Sequence, residues 1–247
     1  MKRINWYVAV GFILIVLSVI LYVWHFFIFE DVHHIFIYFL GDLAFLPLEV
    51  LLVTIIIHRM LNMREKRSMI EKMNMVIGAF FSELGTELMK HFFEFDVSID
   101  ALSKNFLNIE DWSRNDFTIN KQKLLTYNFD IDTNKGDIDK LRAFLQEKRD
   151  FLLNLLGNPN LLEHDSFTNL LWAITHLTEE LGCREEHCVE LIDSDLSHLA
   201  GDMKRAYIIL IQEWLDYMNH LRISYPYLFS LAARMNPFNP DASPVVK

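Results

Sequence analysis

Asp42 and Glu49 are two carboxylates inside a run, Ile35 to Arg59, that is otherwise apolar enough to cross a bilayer. A charged side chain at bilayer depth costs roughly 2.5–3.5 kcal/mol on insertion scales, so an acid there faces protein or water and its first reading is functional. The two lie seven residues apart. At about 100° per residue this sets them within roughly 20° of each other and about 10 Å apart along a helix. Stacked carboxylates on one stripe suit the attraction and passage of cations, as rings of acidic side chains do in cation channels. Pro47 stands between them. Because it removes a backbone donor and crowds the preceding turn, a kink is expected near Ala44 to Leu46, with freed carbonyls adding to the polar stripe. Glu30 and Asp31, ahead of this run, would concentrate cations at its mouth. The candidate cation pathway is therefore Asp42, Glu49, Glu30 and Asp31.

Metal binding is the second chemistry to weigh. Glu87 and His91, His176 and Glu180, and His198 and Asp202 each stand at one-turn spacing, and helical bundles hold iron or manganese through inward groups of this kind. Helical phase argues against it. The apolar face of the last long helix centres near Met203 and Leu221, which turns His198 roughly 140° and Asp202 roughly 100° away; His176 falls roughly 150° from the face of Phe167, Leu170, Ile174 and Leu181. These pairs are expected to meet water as surface ion pairs. Only His91 falls on an apolar face, and one carboxylate–histidine pair cannot hold two metals.

Three further motifs fail on their own chemistry. Cys183, His187 and Cys188 lack a fourth zinc ligand. The segment from Asp130 to Gly136 opens like a calcium loop but has Lys135 and Leu141 where an EF-hand needs Gly and a bidentate Glu. His164-Asp165 resembles the metal pair of HD phosphohydrolases, but Asp165 is accounted for as a helix N-cap. No metal and no cofactor is expected. Neither a dinucleotide fingerprint, a P-loop nor a nucleophile elbow occurs, so no enzymatic activity is expected either.

The elements that would position the acidic stripe are legible as two spans. Trp6 to Phe29 contains no Asp, Glu, Lys or Arg and exceeds the ~20 residues a helix needs to cross the hydrocarbon. It is too long for a signal-peptide core, and no small-x-small cleavage site follows. Glu30, Asp31, His33 and His34 form a short connection without Lys or Arg. Lys2 and Arg3 precede the first span, while Arg59, Arg64, Lys66, Arg67 and Lys72 follow the second. The positive-inside rule then puts both termini in the cytoplasm of a multi-pass protein of the cell (inner) membrane.

Beyond the second span nothing breaks helix until Gly78, and Met63, Ile70, Met73, Ile77, Phe80 or Phe81, Leu84 and Leu88 recur at threes and fours. That seam of coiled-coil type packs either on the protein's own later helices, the favoured choice, or on copies of itself. Asp137 or Asp139 is expected to cap a helix running to about Leu156. Further helices are expected from Asp165 or Ser166 to Leu181, ended by Gly182, and from Ser194 or Asp195 to about Ser224, stopped by Pro226.

The expected architecture is all-α: a two-helix transmembrane hairpin over 1–59, a helical connector over 60–93, a cytosolic helical bundle over 94–236 and a Pro-rich extended tail over 237–247. The 247 residues, 52% hydrophobic with net charge −10, suit this plan. The acidity also excludes nucleic acid as a partner. Two cysteines fit a reducing cytosol.

Two spans are too few to shield two acids from lipid, so a homo-oligomer in the lipid bilayer, passing or sensing a cation, is the leading expectation. The alternative is a membrane-tethered signalling or scaffold protein whose bundle binds a cytosolic partner.

Overall fold

The computed structural model describes residues 2–159, 161, 164–186 and 192–246. Its residues cluster into two units, Met1–Arg67 and Ser68–Lys247. The architecture is all-helical, with a helical bundle in the second unit and no strand among the described residues.

In the first unit α1 runs from Lys2 to Phe29 and α2 begins at Val32. Both contain stretches long and apolar enough to cross a membrane, and no residue of those stretches is buried. The link is only Glu30 and Asp31. Glu30 donates its N–H back to Phe26 O at 2.8 Å and takes a left-handed φ of 49°. Asp31 then caps α2, its Oδ1 accepting from the N–H groups of His33 (2.9 Å) and His34 (3.3 Å). His33 and His34, read from sequence as part of the connection, therefore belong to the first turn of α2. The helix continues through Pro47 to Phe80.

In the second unit the lower end of α2 is buried at Met73, Ile77 and Phe80, whereas Met63 and Ile70 stay exposed. From Met73 onward the apolar seam thus packs on the protein's own helices. A π-helical turn, Phe81–Gly85, joins α2 to α3, Thr86–Phe95. Gly85 has a packing reason. A Cβ there would lie 2.7 Å from the rings of Phe80 and Phe81. Those rings meet Phe167 at 5.1 Å and Tyr217 at 5.0 Å.

The middle of the chain supplies short helices: α4, Ile99–Phe106; α5, Arg114–Thr126; α6, Ile138–Glu147; and α7, Arg149–Leu156. Ser113 and Asp116 form a full capping box at the start of α5. Asp137 Oδ1 accepts the Lys140 N–H at 3.0 Å and starts α6. The single helix expected to run on to Leu156 is instead two, because the backbone at Lys148 leaves helical geometry with ψ near 2°. Asp130 to Gly136 is a turn held by Asp132, whose Oδ1 accepts from Asn134 N at 2.9 Å. Gly136 lies flat on Phe95, where a Cβ would approach the ring to 2.6 Å.

Two long helices, α8 (Asp165–Glu186) and α9 (Asp193–Ser224), form the most extensive pair in the bundle. Two sequence expectations for α8 are corrected. Its N-terminus is capped by His164, whose Nδ1 accepts the Phe167 N–H at 3.1 Å, and not by Asp165. Nor does Gly182 end it. The helix passes through Gly182, where the Gln146 side chain lies 2.4 Å from where a Cβ would stand and donates to Thr178 O at 2.9 Å. His187 and Cys188 lie outside the described residues.

Helix α10, Pro226–Arg234, starts at the proline that stops α9. The residues after it are not a free extension. Asn236 is buried and donates to Phe106 O at 2.7 Å, and its Oδ1 accepts the Phe238 N–H. The Phe238 ring fills a pocket between Phe93 (4.8 Å), Phe106 (4.8 Å) and Trp214 (5.3 Å). The prolines do keep this stretch from being helical, but a buried aromatic side chain is worth about 1.5–3 kcal/mol, enough to pin it.

Candidate functional site

Two groups of side chains combine chemistry-bearing residues in ways that a single helix cannot. The first lies in the unit of α1 and α2. Asp42 and Glu49 are both exposed on α2, and among the described residues neither makes a hydrogen bond or ion pair. Asp42 lines a groove of about 500 Å³ together with Tyr22 and His25 of α1 and with His34 and Tyr38 of α2. His34, Tyr38 and Asp42 follow one another at one-turn steps, which puts them on one face. His34 packs edge-on against Tyr38 at 4.7 Å and lies 5.9 Å from His25. His25 Nδ1 is buried without a hydrogen-bond partner. The groove therefore joins an imidazole pair, two phenols and a carboxylate. Glu30 and Asp31, in the link, are exposed, with Asp31 engaged as the α2 cap. Sequence reasoning finds the carboxylates but passes over His25, His34, Tyr22 and Tyr38, although the i, i+4, i+8 spacing of His34, Tyr38 and Asp42 is available to it.

The second group lies between α8 and α9. Asp202 is only 3% exposed, which corrects the expectation that it meets water. Its Oδ2 is 3.4 Å from His176 Nε2 of α8 and 3.3 Å from His198 Nε2 of α9. One candidate ligand atom from each of the three lies within 4.8 Å of the others. Oδ2 is nonetheless without a hydrogen bond, while Oδ1 pairs with Arg205 Nη1 at 3.2 Å.

The rim of this cluster is an ion network. Arg184 of α8 donates from Nε (2.8 Å) and Nη2 (2.6 Å) to the two oxygens of Asp195, and also pairs with Glu180. These hydrogen bonds hold the carboxyls of both Glu180 and Asp195 below the usual range, and the same contacts raise Arg184. Glu180 Oε1 is 4.0 Å from His176 Nε2. Of the one-turn pairs, His176–Glu180 and His198–Asp202 thus come together around Asp202, and Glu87–His91 stands apart. Glu87 is engaged by Lys90 at 2.9 Å, while His91 lies against Phe144 at 4.7 Å, where burial lowers its pKa.

Comparison with known proteins follows the same division of the chain. Residues 2–61 match the family domain described as the MJ1433 N-terminal helical domain, and residues 69–234 match the C-terminal helical domain of "Uncharacterized protein MJ1433". The Methanocaldococcus jannaschii protein of that name is 47% identical over 227 residues, 92% of this chain and 90% of the relative. The chain belongs to the MJ1433 family. The junction between the two family domains falls where the fold divides, at Arg67 and Ser68. No solved structure matches. Both groups of side chains lie inside the matched segments, the groove in the N-terminal domain and the Asp202 cluster in the C-terminal domain.

Proposed function

We propose that this member of the MJ1433 family is an integral membrane protein that associates with copies of itself and passes or senses a cation. In this reading α1 and α2 are the spans of a hairpin with both termini in the cytoplasm. Asp42 and Glu49 face a shared axis, and the cytosolic bundle assembles or gates it. One observation carries the proposal. Asp42 lines a groove of protonatable and cation-attracting groups, and in a single chain neither it nor Glu49 has a partner among the described residues. Carboxylates left bare toward lipid cost several kcal/mol, and copies packed around a polar axis remove that cost.

The test is ion flux from liposomes holding the purified protein, read with pH-sensitive and potassium-sensitive dyes. Wild type is compared with the Asp42→Asn, Glu49→Gln double variant, and crosslinking reports subunit number. Flux in wild type and none in an intact mutant oligomer supports the proposal. Equal flux in both, or none in either, defeats it.

A second reading, a membrane-tethered module whose bundle binds a protein partner, draws on the exposed apolar face of α10. Tyr227, Leu228 and Leu231 lie uncovered there, with Ile223 and Tyr225 nearby. Under that reading an unrelated two-span hairpin substitutes for residues 1–59 without loss of partner binding.

A further inference from the structure

We propose that His176, His198 and Asp202 form a binding site for a divalent first-row transition metal, independent of the membrane-facing groove.

The argument starts from the bare oxygen. Asp202 is buried, and its Oδ2 accepts no hydrogen bond, although a buried carboxylate oxygen ordinarily has a donor. What surrounds Oδ2 is two imidazole nitrogens, at 3.4 and 3.3 Å. Ligand atoms about 2.0–2.2 Å from a tetrahedral zinc ion stand about 3.3–3.5 Å from one another. Both oxygen–nitrogen edges of the triangle already have that length. The nitrogen–nitrogen edge, within 4.8 Å, closes by rotation of rings that are 45% and 54% exposed.

Backbone supports the arrangement. His198 and Asp202 stand one turn apart on α9, so their side chains share a face, and His176 is brought across from α8. The other oxygen, Oδ1, is held by Arg205, which fixes the carboxylate with Oδ2 toward the imidazoles. Arg184 ties down the neighbouring acids, Glu180 and Asp195, leaving the three donors as the ligand set. Two nitrogens and one oxygen suit zinc, cobalt, nickel or ferrous iron over calcium or magnesium, which call for oxygen cages. With both histidines half open to solvent, the coordination positions beyond the three side chains belong to water or an outside ligand.

The test uses the full-length protein in detergent, stripped with a chelator and titrated with zinc chloride against a chromophoric competitor. Thermal unfolding is followed with and without zinc. The expected result is one zinc per chain and a rise in Tm on saturation. His176→Gln and His198→Gln each weaken binding at least tenfold and abolish the rise that zinc gives over each variant's own metal-free Tm. The Cys183→Ser, Cys188→Ser variant binds as wild type does. Cobalt in place of zinc gives visible absorption bands that change in both histidine variants. Absence of stoichiometric zinc binding, binding unchanged in both histidine variants, or binding lost only with the cysteines overturns the proposal.

Discussion

The Tyr207 hydroxyl of α9 donates to Asp96 Oδ2 at 3.2 Å, where α3 ends, and both residues are fully buried. Asp96 Oδ1 accepts the Ser98 N–H at 2.8 Å, so the acid joins the longest helix of the bundle to the turn after α3. Burial holds the Asp96 carboxyl above its usual range despite these hydrogen bonds, and it pushes the Tyr207 hydroxyl well up. The fold therefore binds the Asp96 proton more tightly than the unfolded chain does. Its contribution is fully present below the ordinary carboxylate pKa and is lost as pH rises through the raised folded value. Asp96→Asn keeps the shape and removes the titration. Denaturant unfolding of both proteins across about pH 3 to 8 should show the variant gaining on wild type as pH rises. A difference that stays constant with pH would sink the idea.

Gly136 is expected to reject any side chain. The methyl group of an alanine there would press on Phe95, a ring with no exposed surface. Gly136→Ala should lower stability by about 1–3 kcal/mol, the cost of overpacking a filled core. Pairing it with Phe95→Leu should cost less than the sum of the two changes, since the smaller residue makes the room. Additive losses in a double-mutant cycle would show that the two sites are not in conflict.

Gly182 sits mid-helix, where Ala is ordinarily better by roughly 0.5–1 kcal/mol. Here Gly182→Ala displaces Gln146 from Thr178 O, and the lost hydrogen bond, worth about 0.5–1.5 kcal/mol, offsets the gain. The substitution should be close to neutral in wild type and stabilising in a Gln146→Ala background. Thermal melts of the four proteins decide it, and equal effects in the two backgrounds would count against the contact.

The proposed topology makes a labelling prediction. Asp31→Cys, in a background with Cys183→Ser and Cys188→Ser, should react with a membrane-impermeant maleimide on intact cells. The native cysteines of wild type should react only after lysis. The reverse pattern would turn the protein over in the membrane, and labelling of both before lysis would remove the bundle from the cytoplasm.

The helices are largely legible in the sequence because their signals are local. Asp137 starts α6, Pro226 stops α9 and opens α10, and the threes and fours from Met73 to Leu88 mark a buried face. What is not legible comes from neighbours. Gly182 reads as a helix stop, whereas its glycine makes room for the Gln146 side chain that crosses the helix there. Asp202, about 100° from the centre of its own apolar face, reads as solvated until α8 covers that flank and delivers His176. Phase on one helix measures angle from one partner, and α9 packs on several, among them α3, α5, α8 and α10. His25 escapes notice for a related reason: its relation to His34 and Asp42 exists only across two helices.

The place of Phe238 in the core sets an order in time. Phe93, Phe106 and Trp214 are all made before the ring that covers them. At about 5–20 residues per second, Phe93 waits several seconds or more for that ring. The apolar helices at the other end of the chain are complete throughout that interval. Translation thus completes the two apolar helices long before the bundle can close, and Phe238 is the residue that closes it over Phe93, Phe106 and Trp214.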